Sequence, residues 1–286
     1  MKSERSAAIL ITSPQNPRLQ RVRALIEKRK QREEENAFVV EGVRLVEEAV
    51  ASGWQAELIL YTQELSERGQ RLVRQVEGSS MAQAPRSPGR AGAEAAPVVN
   101  EIPPHLMNSI AGTENSQGLL AVFSRRTLPL PETLDFALIC DNLRDPGNLG
   151  TLLRTAAAAG AQGVLLSPGT TDPFAPKVLR AGMGAHFRLP ILNTGWDEIR
   201  RLCKDRKRPL TILLAEAAEG QACWSMDLRQ PVALMVGSEA DGASREAMAL
   251  ADQPITIPMP GKSESLNAAI AASILLFEIV RQRHTQ

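Results

Sequence analysis

The sequence predicts an α/β protein of two domains, the second built on a mainly parallel sheet. From Ala137 onward, short apolar runs alternate with helical segments at α/β intervals. Those runs are continuously apolar rather than alternating, which implies strands covered on both faces. A chain of 286 residues is also long enough to bury two cores.

The first half opens on a basic stretch. Residues 16 to 32 carry Arg18, Arg21, Arg23, Lys28, Arg29, Lys30 and Arg32, opposed only by Glu27. Leu19, Val22, Leu25 and Ile26 recur at helical spacing, so one amphipathic basic helix is expected after Asn16-Pro17. Phe38-Val39-Val40-Glu41-Gly42 reads as a short strand, Val43 to Ser52 as a helix ending near Gly53, and Leu58 to Tyr61 as a second strand. Residues 78 to 97 are Ala, Ser, Gly and Pro with scattered charge. That composition cannot offset the entropy of ordering, so a flexible insert is expected. Val98-Val99 resume the fold, His105 to Ile110 form a short helix and Leu119 to Phe123 a strand. Thr127-Leu128-Pro129-Leu130-Pro131 reads as a linker, giving domains 1–126 and 127–286.

In the second half the expected strands are Ala137–Cys140, Gly163–Leu166, Thr211–Ala215, Val232–Val236 and Ile255–Ile257. A long helix follows from about Ser265 to Arg283, with Leu266, Ile270, Ile274, Phe277 and Val280 near one face. Core packing is the ordinary use of such a stripe.

Composition excludes several classes. Lys+Arg 33 against Asp+Glu 32 gives no global polyanion signature, so a nucleic acid must be met by a local patch. Aromatics at 3% leave little for base stacking. Cys140, Cys203 and Cys223 are far apart and lack metal spacing, which suits a reduced, cytoplasmic protein without a metal. The first residues are too briefly apolar for a signal sequence, and no run is long enough to span a bilayer, so no membrane is expected.

Three loops follow strand ends. The first runs from Asp141 through Pro146-Gly147, read as a turn, into a helix that carries Asn148 and Arg154 and stops at Gly160. A helix start is an anion site, because its unpaired N–H groups and dipole face outward. The second is Val236-Gly237-Ser238-Glu239-Ala240-Asp241-Gly242, and the third is Ile257-Pro258-Met259-Pro260-Gly261 through Ser265-Leu266-Asn267. Ligands collect at the carboxyl ends of parallel strands, so the three loops are expected to share a pocket. Two look-alikes fail. Gly261-Lys262-Ser263 has Thr256 where a P-loop needs glycine, and Gly182-Met183-Gly184-Ala185-His186-Phe187 lacks the third glycine of a dinucleotide fingerprint. His186 and Cys140 read as core residues, and the Arg200-to-Arg208 cluster as a solvated helix face.

In this order the three loops resemble the motifs of the SpoU-TrmH RNA ribose 2′-O-methyltransferases of the SPOUT superfamily. The matches are Asp141, Asn148 and Arg154-Thr155-Ala156, then Val236-Gly237-Ser238-Glu239, then Ile257-Pro258-Met259-Pro260-Gly261 with Ser265-Leu266-Asn267. Phe38 to Gly42 and Ser116-Gln117-Gly118 are similar to landmarks of the family's substrate-binding domain. Ala268-Ala269 stand where members often carry Val then Ser. The resemblance implies a C-terminal domain with a deep trefoil knot and an N-terminal small α/β domain like ribosomal protein L30e. It implies S-adenosyl-L-methionine held by Ala215, Gly237, Ile257, Met259 and Leu266. Gly237, lacking a Cβ, would let the chain press against the adenosine. It implies catalysis by Arg154 with Asn148, Glu239, Ser265 and Asn267, where Arg154 either takes the proton or steadies the charge left behind. A homodimer meeting through the last helix, and ribosomal RNA gripped by the basic stretch, complete the expectation. A transfer RNA enzyme, an antibiotic-resistance methylase acting on rRNA and a non-catalytic RNA-binding or ribosome-assembly factor are the alternatives.

Overall fold

The computed structural model describes residues 9–82, 97–112, 116–218, 220–238, 241–261 and 265–284. The chain divides into two compact units, one of residues 1–126 with 174–176 and one of 127–173 with 177–286.

The first unit contains β1 (Ile9–Leu10), α1 (Pro17–Glu27), α2 (Arg29–Glu34), β2 (Ala37–Glu41), α3 (Val43–Ala51), β3 (Ala56–Tyr61), α4 (Glu67–Ala82), β4 (Val98–Glu101), α5 (Pro104–Ile110) and β5 (Leu119–Ser124). The strands form a sheet in the order β1-β4-β3-β5-β2. Strands β1, β4 and β3 run parallel, and β5 is antiparallel to both β3 and β2. The carboxyl ends of β2, β3 and β4 therefore gather at one end of the sheet.

The expected single basic helix is two. Lys28 is extended (φ −115°, ψ 117°) and separates α1 from α2. The break is held by Arg32, which is buried and whose Nη1 donates to the Leu25 and Ile26 carbonyls at 2.6 and 3.1 Å. These are carbonyls that the end of α1 leaves unpaired. Helix α4 also runs on to Ala82, so the first residues of the expected insert are helical, and 83–96 lie outside the described residues. Leu72, Val73 and Val76 bury its apolar face.

The second unit contains β6 (Phe136–Cys140), α6 (Pro146–Ala159), β7 (Gly163–Leu166), α7 (Pro176–Gly182), β8 (Ile191–Asn193), α8 (Trp196–Cys203), β9 (Thr211–Ala215), β10 (Gln221–Ala222), β11 (Val232–Val236), α9 (Arg245–Leu250), β12 (Gln253–Thr256) and α10 (Ala268–His284). Its sheet has the order β10-β12-β9-β11-β6-β7-β8, and every pairing is parallel. Strands β6, β7 and β11 are buried along their whole length, as continuous apolar runs require. Leu130, in the expected linker, packs against this core.

Helix α10 corrects the expected core stripe. Leu266, just before it, is 38% exposed, and Ile270, Ile274 and Phe277 are 54%, 37% and 48% exposed. The face turned inward carries Ala269, Ala272, Leu275, Leu276 and Ile279 instead. The small residues allow close approach to α6, where Ser273 Oγ donates to Thr155 Oγ1 at 3.1 Å.

Candidate active site

The carboxyl ends of β6, β7 and β11 are tied together by Asp141. Its backbone N–H donates to Val236 O at 2.8 Å, and its Oδ1 accepts from Ser167 Oγ at 2.9 Å. Its Oδ2 accepts from the Ser244 N–H at 2.7 Å, at the start of α9. A buried carboxylate with both oxygens engaged is a structural tie.

Helix α6 begins differently from the turn expected at Pro146-Gly147. Asp145 is its N-cap and accepts from the Asn148 N–H at 2.8 Å, and Pro146 occupies the first helical position. The expected anion site is thus filled by the chain's own carboxylate. Gly150 is required for packing, since a Cβ there would stand 2.4 Å from Ala181 Cβ and 2.8 Å from Val178 O. Arg154 lies further along α6, exposed and without a hydrogen bond or ion pair among the described residues.

A cleft of about 400 Å³ opens between the loops that follow β9, β11 and β12 and the first turns of α10. Ala215, Gly237, Ile257, Met259 and Leu266 all line it, as do Ser265 and Asn267. Asn267 also leaves the cleft. Its Nδ2 donates to Asn148 Oδ1 at 3.2 Å, while its own Oδ1 accepts from the N–H groups of Ala269 and Ile270 at 3.0 and 3.2 Å. One side chain therefore caps α10 and holds the first turn of α6. The structure brings together Asn148, Ser265 and Asn267; Arg154 is not among the lining residues, and Glu239 lies outside the described residues.

The fold gives position 237 a further reason to be glycine. A Cβ there would meet Ala243 N and Gly242 C and O, all at 2.8 Å. The loop folds backbone onto backbone, pinned by reciprocal Ser238–Gly242 hydrogen bonds of 2.9 and 3.0 Å. Gly237 thus lines the cleft while its backbone is packed against the turn behind it.

Sequence reasoning missed Glu216, the half-buried residue after Ala215 that lines the cleft. It also missed Ala271 and Leu275, whose spacing of four from Asn267 places them on one helical face.

The basic candidates are more neutralised than their run suggests. Arg21 pairs with Glu35 at 2.6 Å and Glu57 at 2.7 Å. Burial pushes the Glu35 carboxyl up, but hydrogen bonds from Arg21 and Gln31 outweigh it and hold the group below its ordinary range. Arg29 pairs with Glu33 and Lys30 with Glu34, while Arg18 donates to Asn100 Oδ1 at 2.9 Å. Arg32 is turned inward; Arg23 is half-buried and Lys28 exposed. In the other cluster, Arg201 pairs with Glu198 and Lys204 with Asp252.

Among the described residues no helix is long and apolar enough to cross a membrane, and no group of three His, Cys, Asp or Glu side chains is placed to hold a metal.

Comparison with known proteins fits this geometry. The MRM3-like substrate binding domain model matches residues 16–121. A Streptomyces viridochromogenes 23S rRNA (uridine(2479)-2′-O)-methyltransferase is 31% identical over 99% of this chain and 96% of its own length. The human mitochondrial rRNA methyltransferase 3 is 30% identical over 94% of this chain and 73% of its own. The crystal structure of an AdoMet-bound rRNA methyltransferase from Sinorhizobium meliloti superposes with a TM-score of 0.81 at 31% identity, covering 96% of this chain and 98% of that one. The SpoU rRNA methylase family model matches residues 135–277, which hold the cleft and all three loops, and the chain belongs to that family.

Proposed function

We propose that this chain transfers a methyl group from S-adenosylmethionine to a ribose 2′-hydroxyl of ribosomal RNA. The carrying observation is Asn267, which lines the cleft and holds Asn148 outside it, so that one residue joins a cofactor side to a substrate side. The named activities of the relatives support ribosomal RNA as the target.

The cleft suits this cofactor. Its volume of about 400 Å³ falls within the range of small-molecule sites. Ile257, Met259 and Leu266 offer apolar faces for adenine and the methionine chain. Among the described lining residues the ionisable group is the Glu216 carboxylate. A carboxylate in the lining accommodates a cation. When bound, S-adenosylmethionine supplies a methyl group already activated by positive sulfur.

The chain's own work is alignment and charge. We assign Ser265, Asn267 and Asn148 to orienting the substrate ribose, and Arg154 to steadying the developing alkoxide. A guanidinium is a poor proton acceptor. Glu239 is assigned to the same group from its loop.

Arg154 does not line the cleft of its own chain, and we infer a homodimer in which a second copy supplies it. The exposed Ile270, Ile274 and Phe277 on α10 support that interface. We further propose that residues 1–126 hold the RNA with an L30e-like fold, and that 127–286 carry a trefoil knot. The strand order supports the knot: β12 lies outside β9, yet the chain returns from it past β11 and β6 to reach Asn148. The three buried free cysteines support a cytoplasmic setting.

The test incubates labelled S-adenosylmethionine and the protein with rRNA and tRNA separately, then hydrolyses in alkali. A 2′-O-methyl ribose protects the adjacent bond, so label is expected in alkali-resistant dinucleotides from rRNA. Label only in mononucleotides rejects ribose methylation.

A further inference from the structure

The first unit holds a second cleft, of about 560 Å³, at the carboxyl ends of its parallel strands. Val43 comes just after β2, Thr62 follows β3 and Pro104 lies shortly after β4, and all three line the cleft. This is where an open α/β sheet places a ligand. The cleft is lined by Ser116-Gln117-Gly118 and by Val43-Arg44, which directly follow the Glu41-Gly42 motif; the methyl-transfer site leaves all of them unused.

Its construction is specific. Gly42 is the N-cap of α3 with φ +96° and provides no side-chain cap. A Cβ at Gly42 would stand 2.8 Å from Gln117 Oε1, which accepts from the Val43 N–H at 3.3 Å. Beyond that bond, the start of this helix offers N–H groups and the positive end of its dipole to the cleft. Thr62 is 3% exposed, lines the cleft, and its hydroxyl makes no hydrogen bond among the described residues. The residue is buried on every other side, so its hydroxyl opens only into the cleft and is left to meet whatever fills it. Arg44 stands exposed at the rim, while Arg68 is held by Glu47. Asn108, Gln117 and Glu64 add amide and carboxylate groups, over the apolar Val43 and Met107.

We propose that this cleft seats one unpaired nucleotide of the RNA substrate, its phosphate on the start of α3 and Arg44, and its sugar or base edge on Thr62, Asn108 and Gln117. Among the described lining residues, one unpaired cation, several donors and a partly apolar floor fit a nucleotide better than a bare anion. The inference rests on the proposed RNA substrate and adds the place where the first unit grips it.

The experiment measures binding of purified host rRNA by the full chain, with Thr62→Val and Arg44→Ala as separate variants and Arg74→Ala on α4 as a charge control. Thr62→Val keeps the side-chain shape, and Arg44 is exposed, so thermal melting should match the parent. The expected result is a roughly 10-fold rise in Kd for rRNA in each cleft variant, less than a twofold change in Arg74→Ala, and unchanged S-adenosylmethionine affinity. Unchanged rRNA affinity in both cleft variants, or an equal loss in Arg74→Ala, overturns the proposal. Methyl transfer is assayed in parallel. A parent that binds rRNA without methylating it, with weakened cleft variants, would reject the activity and leave the nucleotide site standing.

Discussion

Asn267 Nδ2 donates to Asn148 Oδ1 across 3.2 Å, joining residues 119 positions apart. The same side chain caps α10 through its oxygen. The two jobs use different atoms and can be separated.

Asn267→Asp keeps the capping oxygen and loses the donor to Asn148, whereas Asn267→Ala loses both. Urea unfolding should place the Ala variant about 1 kcal/mol below the parent and the Asp variant close to it. Methyl transfer should fall in both. An Asp variant with full activity would show that the link to Asn148 is not part of the working site.

Arg154→Ala should keep cofactor affinity within twofold, because Arg154 is absent from the cleft lining. Transfer should drop by about 10²-fold or more. Isothermal titration and the labelled-methyl assay read the two quantities independently, and full activity would remove Arg154 from the mechanism.

Gly237→Ala forces a methyl group to within 2.8 Å of the backbone at Gly242 and Ala243. The loop must move, at a cost of about 1–3 kcal/mol typical of overpacking. Weaker S-adenosylmethionine binding is expected by titration. Parent-like affinity would mean that the wall does not depend on this close approach.

Phe277→Glu and Ile270→Glu place charge on an exposed face and should leave the folded chain intact. Sedimentation velocity should then show monomers where the parent sediments as a dimer, with activity lost alongside. A parent that is monomeric at assay concentration would refute the shared site.

His186 carries a pH dependence. Burial pushes its imidazole down from 6.5 to about 4, against the opposing influence of the Pro173 carbonyl and then Asp172. Between those values the unfolded chain binds a proton that the folded chain refuses. The contribution is therefore fully present above pH 6.5 and is lost as pH falls toward 4, on the order of 3 kcal/mol. His186→Gln should flatten the fall in urea stability between pH 7 and 4.5; an unchanged slope would assign the titration elsewhere.

The sequence made the second sheet legible because β6, β7, β9 and β11 are uninterrupted apolar runs. It made the cleft legible because each loop follows such a run directly. The start of α6 was misread because Pro-Gly resembles a turn, and only the cap from Asp145 to Asn148 reveals a helix already begun. Helix α10 is apolar on nearly every side. Periodicity alone could not decide between the Ile270–Ile274–Phe277 face and the Ala269–Ala272–Leu276 face, which alanine's close fit against α6 settled. Arg32 was misassigned because a cation that closes a helix end looks, in sequence, like any other member of a basic run.

The cleft wall drawn from Ile257, Ser265, Asn267 and Leu275 has a consequence for biosynthesis. A ribosome delivers every strand from β6 to β11, and Asn148 with them, before any of these residues exists. A nascent chain paused short of residue 257 would own a formed sheet yet lack one side of its cofactor cleft. Competence therefore arrives late and abruptly, and prematurely terminated products should be unable to compete with the finished enzyme for its cofactor.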